Sequence, residues 1–201
     1  MDMSRARHLL GFALLVACSS EKAAAPSGSA SAQPSGGSGS AHEARPVGPP
    51  TGAIIEIQEL TIRFEGFPIA RLHADGRTES VGNEKPGKDA KFSPGPTLRA
   101  DGTIELTKGG MKARVEADGD IFVISPPAAG QPEQLYGRVT GDRLETKRGA
   151  DTGVRLEGSK LVAFYEGKPT SELGVIEPPT MGRTALILTA AFFMDLAITR
   201  Q

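Results

Sequence analysis

Turn signals with glycine recur from residue 75 to residue 159 of this chain, at Asp75-Gly76, Asp101-Gly102, Asp118-Gly119, Gly141-Asp142 and Gly158-Ser159. Each is flanked by short segments in which apolar and polar residues alternate. A period of two between tight turns is the signature of antiparallel hairpins, because successive strand side chains point to opposite faces.

Side-chain parity selects the loop lengths. With Ala100-Asp101-Gly102 as a three-residue loop, Leu98 lies opposite Ile104 and Arg99 opposite Thr103. A two-residue loop would set Leu98 against Glu105, an apolar residue against a charge. The three-residue form, with a left-handed glycine and a bulge, is therefore expected. The loop Ala117-Asp118-Gly119 likewise sets Val115 against Ile121 and Ala113 against Val123. A four-residue loop from Thr107 to Gly110 sets Leu106 against Met111 and Ile104 against Ala113.

One face then gathers Leu98, Ile104, Leu106, Met111, Ala113, Val115, Ile121 and Val123. The other gathers Arg99, Thr103, Glu105, Lys112, Arg114, Glu116 and Asp120. This is a meander with one dry and one wet face. Phe122 and Ile124 break the polar face, so cover is expected to begin there.

Gly141-Asp142 and Gly158-Ser159 read as two-residue loops of type II′, pairing Val139 with Leu144, Leu156 with Leu161 and Val154 with Ala163. Residues 54–64 and 69–74 add two or three strands upstream. Residues 82–96, with three prolines, read as an exposed loop. The total is about nine to eleven strands. The hairpins have no fixed period, so neither a solenoid nor a propeller is supported.

Residues 184–199 (TALILTAAFFMDLAIT) carry no Gly or Pro and are apolar nearly all round. They predict a helix with a buried surface. Packing on the dry face of the sheet is the leading expectation. A membrane-associated or partner-binding helix and a transmembrane span are the alternatives; Asp195 and the short run argue against the span. Leu186, Leu188, Phe192, Phe193, Leu196 and Ile198 are core candidates, and Asp195 should lie at an edge or find a hydrogen-bond donor. The fold class expected is mainly β, an antiparallel meander forming an open sheet or partial barrel, packed against one C-terminal helix.

The N-terminal segment has a different character. Arg5, Arg7 and His8 precede the apolar run LLGFALLVA, which ends at Cys18, the chain's single cysteine. A basic start, a short apolar stretch of about nine residues and a small-residue cleavage site make residues 1–17 a secretory signal peptide. A membrane-spanning helix needs roughly 20 apolar residues. Leu15-Val16-Ala17-Cys18 resembles the lipobox of bacterial lipoproteins. The resemblance implies that Cys18 is the lipid attachment site and becomes the new N-terminus after cleavage. Val16 departs mildly from the usual Ala or Ser. In the family it resembles, Ser19 after the cysteine is compatible with sorting to the outer membrane. More than one acyl chain is needed for stable anchoring, since a single chain binds a bilayer only marginally.

Residues 18–50 hold Cys18 and a run dominated by Ser, Ala, Gly and Pro, with no aromatic residue. Such a composition cannot offset its ordering entropy by burial, so a disordered tether is expected. As a flexible coil it would span roughly 30 Å. His42 within it reads as solvated. The β-rich globular domain occupies 51–201, an ordinary domain size.

Composition excludes some functions. The formal net charge is -1 and no basic block is present, so a broad nucleic-acid-binding face is not expected. One cysteine forms no intramolecular disulfide. The globular part has His73 as its one histidine and lacks a Gly-x-Ser-x-Gly elbow. His73 beside Asp75 reads as a solvated turn residue rather than a metal ligand or base. Asp118-Gly119-Asp120 lacks the spacing of a calcium loop, and Gly109-Gly110 lacks the Lys-Ser/Thr of a phosphate loop. Arg99, Lys112, Arg114, Arg138, Arg143, Lys147 and Arg155, interleaved with Glu, read as a solvated face with cross-strand pairs.

No catalytic residue, metal site or cofactor is assigned. The leading expectation is a lipid-anchored, noncatalytic cell-envelope protein, held at the membrane by the lipid on Cys18 and contacting an envelope protein, a glycan or a lipid ligand. The alternatives are a carrier holding an apolar ligand between sheet and helix, and a carboxylate-dependent hydrolase.

Overall fold

A computed structural model describes residues 52–82, 85–107, 110–125, 132–146 and 151–199. The signal peptide, Cys18, the tether with His42, Gly109 and Lys147 lie outside the described residues.

Among the described residues the protein is mainly β, with thirteen strands in one antiparallel sheet. These are β1 (Leu60–Phe64), β2 (Phe67–Leu72), β3 (Thr78–Ser80), β4 (Ser93–Pro94), β5 (Thr97–Leu98), β6 (Thr103–Glu105), β7 (Lys112–Val115), β8 (Asp120–Ile124), β9 (Gln134–Thr140), β10 (Arg143–Thr146), β11 (Gly153–Glu157), β12 (Lys160–Tyr165) and β13 (Lys168–Glu177). A short 3-10 turn, Pro179–Met181, leads into helix α1 (Gly182–Thr199). The count exceeds the nine to eleven strands expected because the sheet also recruits two-residue pieces. Two of these, β4 and β5, flank Gly95-Pro96 at the end of the stretch read from sequence as a loop.

The hairpin registers are those that parity requires. Leu98 pairs with Ile104, Ile104 with Ala113, Ala113 with Val123 and Val115 with Ile121. Val139 pairs with Leu144, Val154 with Ala163 and Leu156 with Leu161. The Ala-Asp-Gly loops close as expected: Arg99 N–H donates to Thr103 O (2.8 Å) and Glu116 N–H to Asp120 O (2.8 Å). Their aspartates have a physical job there. Asp75, Asp101 and Asp118 each accept the backbone N–H two residues on, at 2.9–3.1 Å, which pre-forms the turn.

In an antiparallel meander alternate connections lie at the same end. The five glycine turns named above therefore share one end of the sheet, hereafter the turn end. There each turn also bonds sideways to a strand beyond its own hairpin. Gly76, Gly102, Gly119, Asp142 and Ser159 carbonyls accept from Leu98, Val115, Val139, Leu156 and Ile176 N–H, at 2.8–2.9 Å. This contact is why Gly102 must be glycine. Its φ is 93°, and a Cβ there would overlap the Val115 carbonyl oxygen.

Strand order runs β4-β3-β2-β1-β13-β12-β11-β10-β9-β8-β7-β6-β5. The ladder is open, but its two edge strands are consecutive pieces of one chain segment. Leu98 in β5 donates to Gly76, which ends the β2–β3 turn, and Gly95 donates to Thr78 O in β3 (2.9 Å). The edges are thereby held together and the sheet is rolled.

Helix α1 fills the roll. Ala185, Leu186, Ile187, Leu188, Ala190 and Ala191 are all 0 % exposed, and together they cover every side of the helix. Leu72, Leu98, Ile104, Val115, Ile121, Val139, Leu144, Val154, Leu161 and Ile176 join them in the core. A helix apolar all round needs burial all round, and a flat sheet would cover one side only. This refines the two-layer expectation: the sheet wraps the helix. Buried hydroxyls are satisfied, with Thr184 donating to Glu56 O (3.0 Å) and Thr189 to Ala185 O (2.8 Å).

The helix starts two residues before the expected position, at Gly182. Leu186 and Leu188 are core residues as expected, and Phe192 and Ile198 are partly buried against the core. Phe193 and Leu196 are not core residues. They are 40 % and 38 % exposed, because the last turns of α1 emerge at the end opposite the glycine turns.

Candidate functional site

The outward face of the roll is a belt of ion pairs. Arg63 meets Glu177 (2.7 Å), Arg71 meets Glu79 (2.9 Å), Arg99 meets Glu105 (3.0 Å) and Arg143 meets Glu145 (3.6 Å). Arg114 bridges Glu116 and Glu133 (3.0 and 2.9 Å), and Arg155 meets Glu157 (2.6 Å). Arg138 binds Asp120 through both Nε and Nη2. Alternation puts these side chains outward, and cross-strand neighbours then lie within reach of one another. Arg99–Glu105 and Arg138–Asp120 are cross-strand pairs as expected, whereas Arg143–Glu145 and Arg155–Glu157 each join residues two apart on one strand. Exposed pairs of this kind add little stability each.

The sequence reading left three aromatic residues without a partner, although it flagged Phe122. Arg71 lies over the Phe92 ring at 4.3 Å, Arg114 over Phe122 at 5.8 Å and Arg143 over Phe164 at 5.2 Å. Each arginine also holds a carboxylate, so three aromatic–guanidinium–carboxylate stacks stand on the wall. The guanidinium covers the apolar ring while keeping its charge paired. For Phe122 and Phe164 the signal was present in sequence as an aromatic residue at an outward parity position; Phe92 lies in the stretch without alternation and gave none.

The acidic turn residues are held ionised. The backbone N–H of Arg77, then its guanidinium, lower the Asp75 pKa below the ordinary aspartate value. The backbone N–H of Thr103 does the same for Asp101. The Arg138 guanidinium lowers Asp120, and its own pKa is raised in return. Ionised carboxylates tied to donors are the reverse of a proton-holding general acid. Asp118-Gly119-Asp120 is a hairpin turn whose oxygens face a backbone N–H and Arg138.

His73 Nε2 stands 3.7 Å from Glu79, which also holds Arg71. Asp75 turns instead to Arg77. His73 is a partly exposed residue beside the turn, as the sequence reading had it. Among the described residues no group of three or more His, Cys, Asp or Glu side chains is arranged to hold a metal ion.

A shallow cleft of about 200 Å3 opens at the turn end, bordered by Ile54, Glu56, Thr180 and Arg183. At the other end Asp195 accepts from the N–H and the hydroxyl of Thr107, at 2.7 and 2.8 Å, clasping the end of α1 to the strand that follows β5. The expectation that Asp195 would find a donor is met. With its preceding turn, α1 is long and apolar enough to cross a membrane by length and composition. In the described fold its central turns are spent on the core.

No protein family, no curated protein and no solved structure matches the chain.

Proposed function

We propose that this chain is a lipid-anchored, noncatalytic cell-envelope protein that acts through binding or structural contact. The observation carrying this reading is Leu15-Val16-Ala17-Cys18, placed directly after a short apolar run with a basic start. The Ser/Ala/Gly/Pro-rich segment that follows supplies reach between the anchor and the folded domain. Ser19 favours the outer membrane as the destination.

Two features of the fold support a contact role over the alternatives. A carrier of an apolar ligand would need space between sheet and helix, and that volume is taken by α1 side chains at 0 % exposure. Asp75, Asp101 and Asp120 are each tied to a donor that lowers their pKa, which fits a structural role for these three carboxylates. The outward wall offers paired charges and arginine-capped aromatic rings for such a contact.

The test is acylation and membrane retention in the native host. The wild-type chain should incorporate labelled palmitate and sediment with membranes, and Cys18→Ala should lose the label and appear in the soluble fraction. Retention of the Cys18→Ala chain in the membrane fraction would remove the basis of the reading.

A further inference from the structure

We propose that residues 93–98 act as a strap by which the rolled sheet opens along one seam while the rest of the wall stays paired. The strap is a single extended segment that serves two neighbours in turn. Its first half, β4, pairs with β3 through Ser93 and Pro94 only. Its second half, β5, pairs with β6 through Thr97 and Leu98 only. Every other pair of neighbouring strands has at least three residues in register, and β12 with β13 has six.

The strap's chemistry limits it further. Pro94 and Pro96 have no N–H to donate. Across the seam to β3 and its turn, Gly95 N–H donates to Thr78 O and Leu98 N–H to Gly76 O, both 2.9 Å, beside the ladder bonds of the Ser80–Ser93 pair. The buried Thr78 hydroxyl adds a bond to Pro96 O at 2.5 Å. Beneath, Gly95 lies against the Phe192 ring of α1, where a Cβ would come within 2.5 Å of Cε1. Local opening follows the smallest set of bonds that can break together, and here that set is confined to one segment. Opening bares the edges of β3 and β6 and uncovers Phe192, while the core strands β9 to β12 keep their partners.

The five sideways bonds at the turn end supply an internal control. Leu98, Val115, Val139, Leu156 and Ile176 N–H all donate to a turn carbonyl at 2.8–2.9 Å, so equal local chemistry predicts equal protection. Amide hydrogen exchange of the full chain, purified in detergent and read residue by residue, should show Leu98 and Gly95 exchanging at least ~10-fold faster than Val139 and Leu156. Leu98 exchanging as slowly as Val139 and Leu156 would overturn the proposal. In a second measurement, Thr78→Val removes the hydroxyl bond to Pro96 with little change of shape. Exchange at Gly95 and Leu98 should then accelerate while Val139 and Leu156 hold their rates. Acceleration of all four by the same factor would mean that the seam opens only with the whole domain, and would equally overturn it.

Discussion

Leu186→Ala and Leu196→Ala test whether α1 is the filled centre of the roll. Both residues were core candidates on sequence, and the structure separates them: Leu186 is 0 % exposed and Leu196 is 38 % exposed. Transfer of a fully buried leucine side chain contributes about 1.5–3 kcal/mol. Truncation in a closed interior adds a cavity term, so Leu186→Ala should cost about 3–5 kcal/mol. At position 196 the space opens to solvent and no cavity is left. Only part of the transfer term remains there, about 1 kcal/mol. Alanine's slightly better helix propensity applies to both and cancels in the comparison. Urea unfolding at constant slope reads the difference directly, and the melting temperature of Leu186→Ala should fall by roughly 6–20 °C. Because the new void is apolar and enclosed, benzene should raise the melting temperature of Leu186→Ala and leave the wild type unchanged. Equal costs at the two positions, or a Leu186→Ala cost below about 1.5 kcal/mol, would refute the enclosed-helix arrangement.

Gly102→Ala should destabilise far more than Gly141→Ala. Both have positive φ (93° and 58°), but a Cβ at 102 meets the Val115 carbonyl whereas one at 141 meets nothing within 4 Å. The open site should cost about 1 kcal/mol in urea unfolding, and a comparable loss at both positions would contradict the sideways turn-to-strand bond. Acid should also weaken the fold. The folded pKa values of Asp75, Asp101 and Asp120 lie below the unfolded value. Their contribution is therefore complete above about pH 4 and is lost as pH falls through the folded pKa values. The urea midpoint should drop between pH 5 and pH 2, roughly. Replacing Asp101 and Asp120 by Asn, which keeps an acceptor and removes the titration, should flatten that slope. An unaltered slope would assign the acid sensitivity to other carboxylates.

Much of the wall was legible from local pattern. A strand side chain has two choices of face, and a one-residue slip reverses them all. Pairing Leu98 with Ile104 rather than Glu105 therefore settled the loop length as well as the register. The seam was illegible for the opposite reason. Residues 82–96 lack alternation and hold three prolines, and the pairing of β4 with β3 is chosen by what the rolled sheet brings near. The closure of β1 onto β13, with Ile62 opposite Ile176, likewise joins segments more than a hundred residues apart with no turn to announce it.

The site was legible only as residue types. Outward arginines and glutamates alternate in the chain, so ion pairs could be anticipated. The stacks of Arg71 on Phe92 and Arg143 on Phe164 join residues on different hairpins, and their distance in space depends on sheet order. His73 and Asp75, two residues apart at a turn, take different partners, Glu79 and Arg77, which the sequence did not indicate.

By itself, then, the amino-acid order determined the hairpins, their registers, the dry and wet faces and the apolar helix, because turns and periodicity act within a few residues. Tertiary structure decided that the sheet rolls around that helix, that Phe193 and Leu196 are left partly outside, and that a six-residue strap joins the edges. Those outcomes depend on burying all sides of one helix at once, a condition met only when distant strands arrive together.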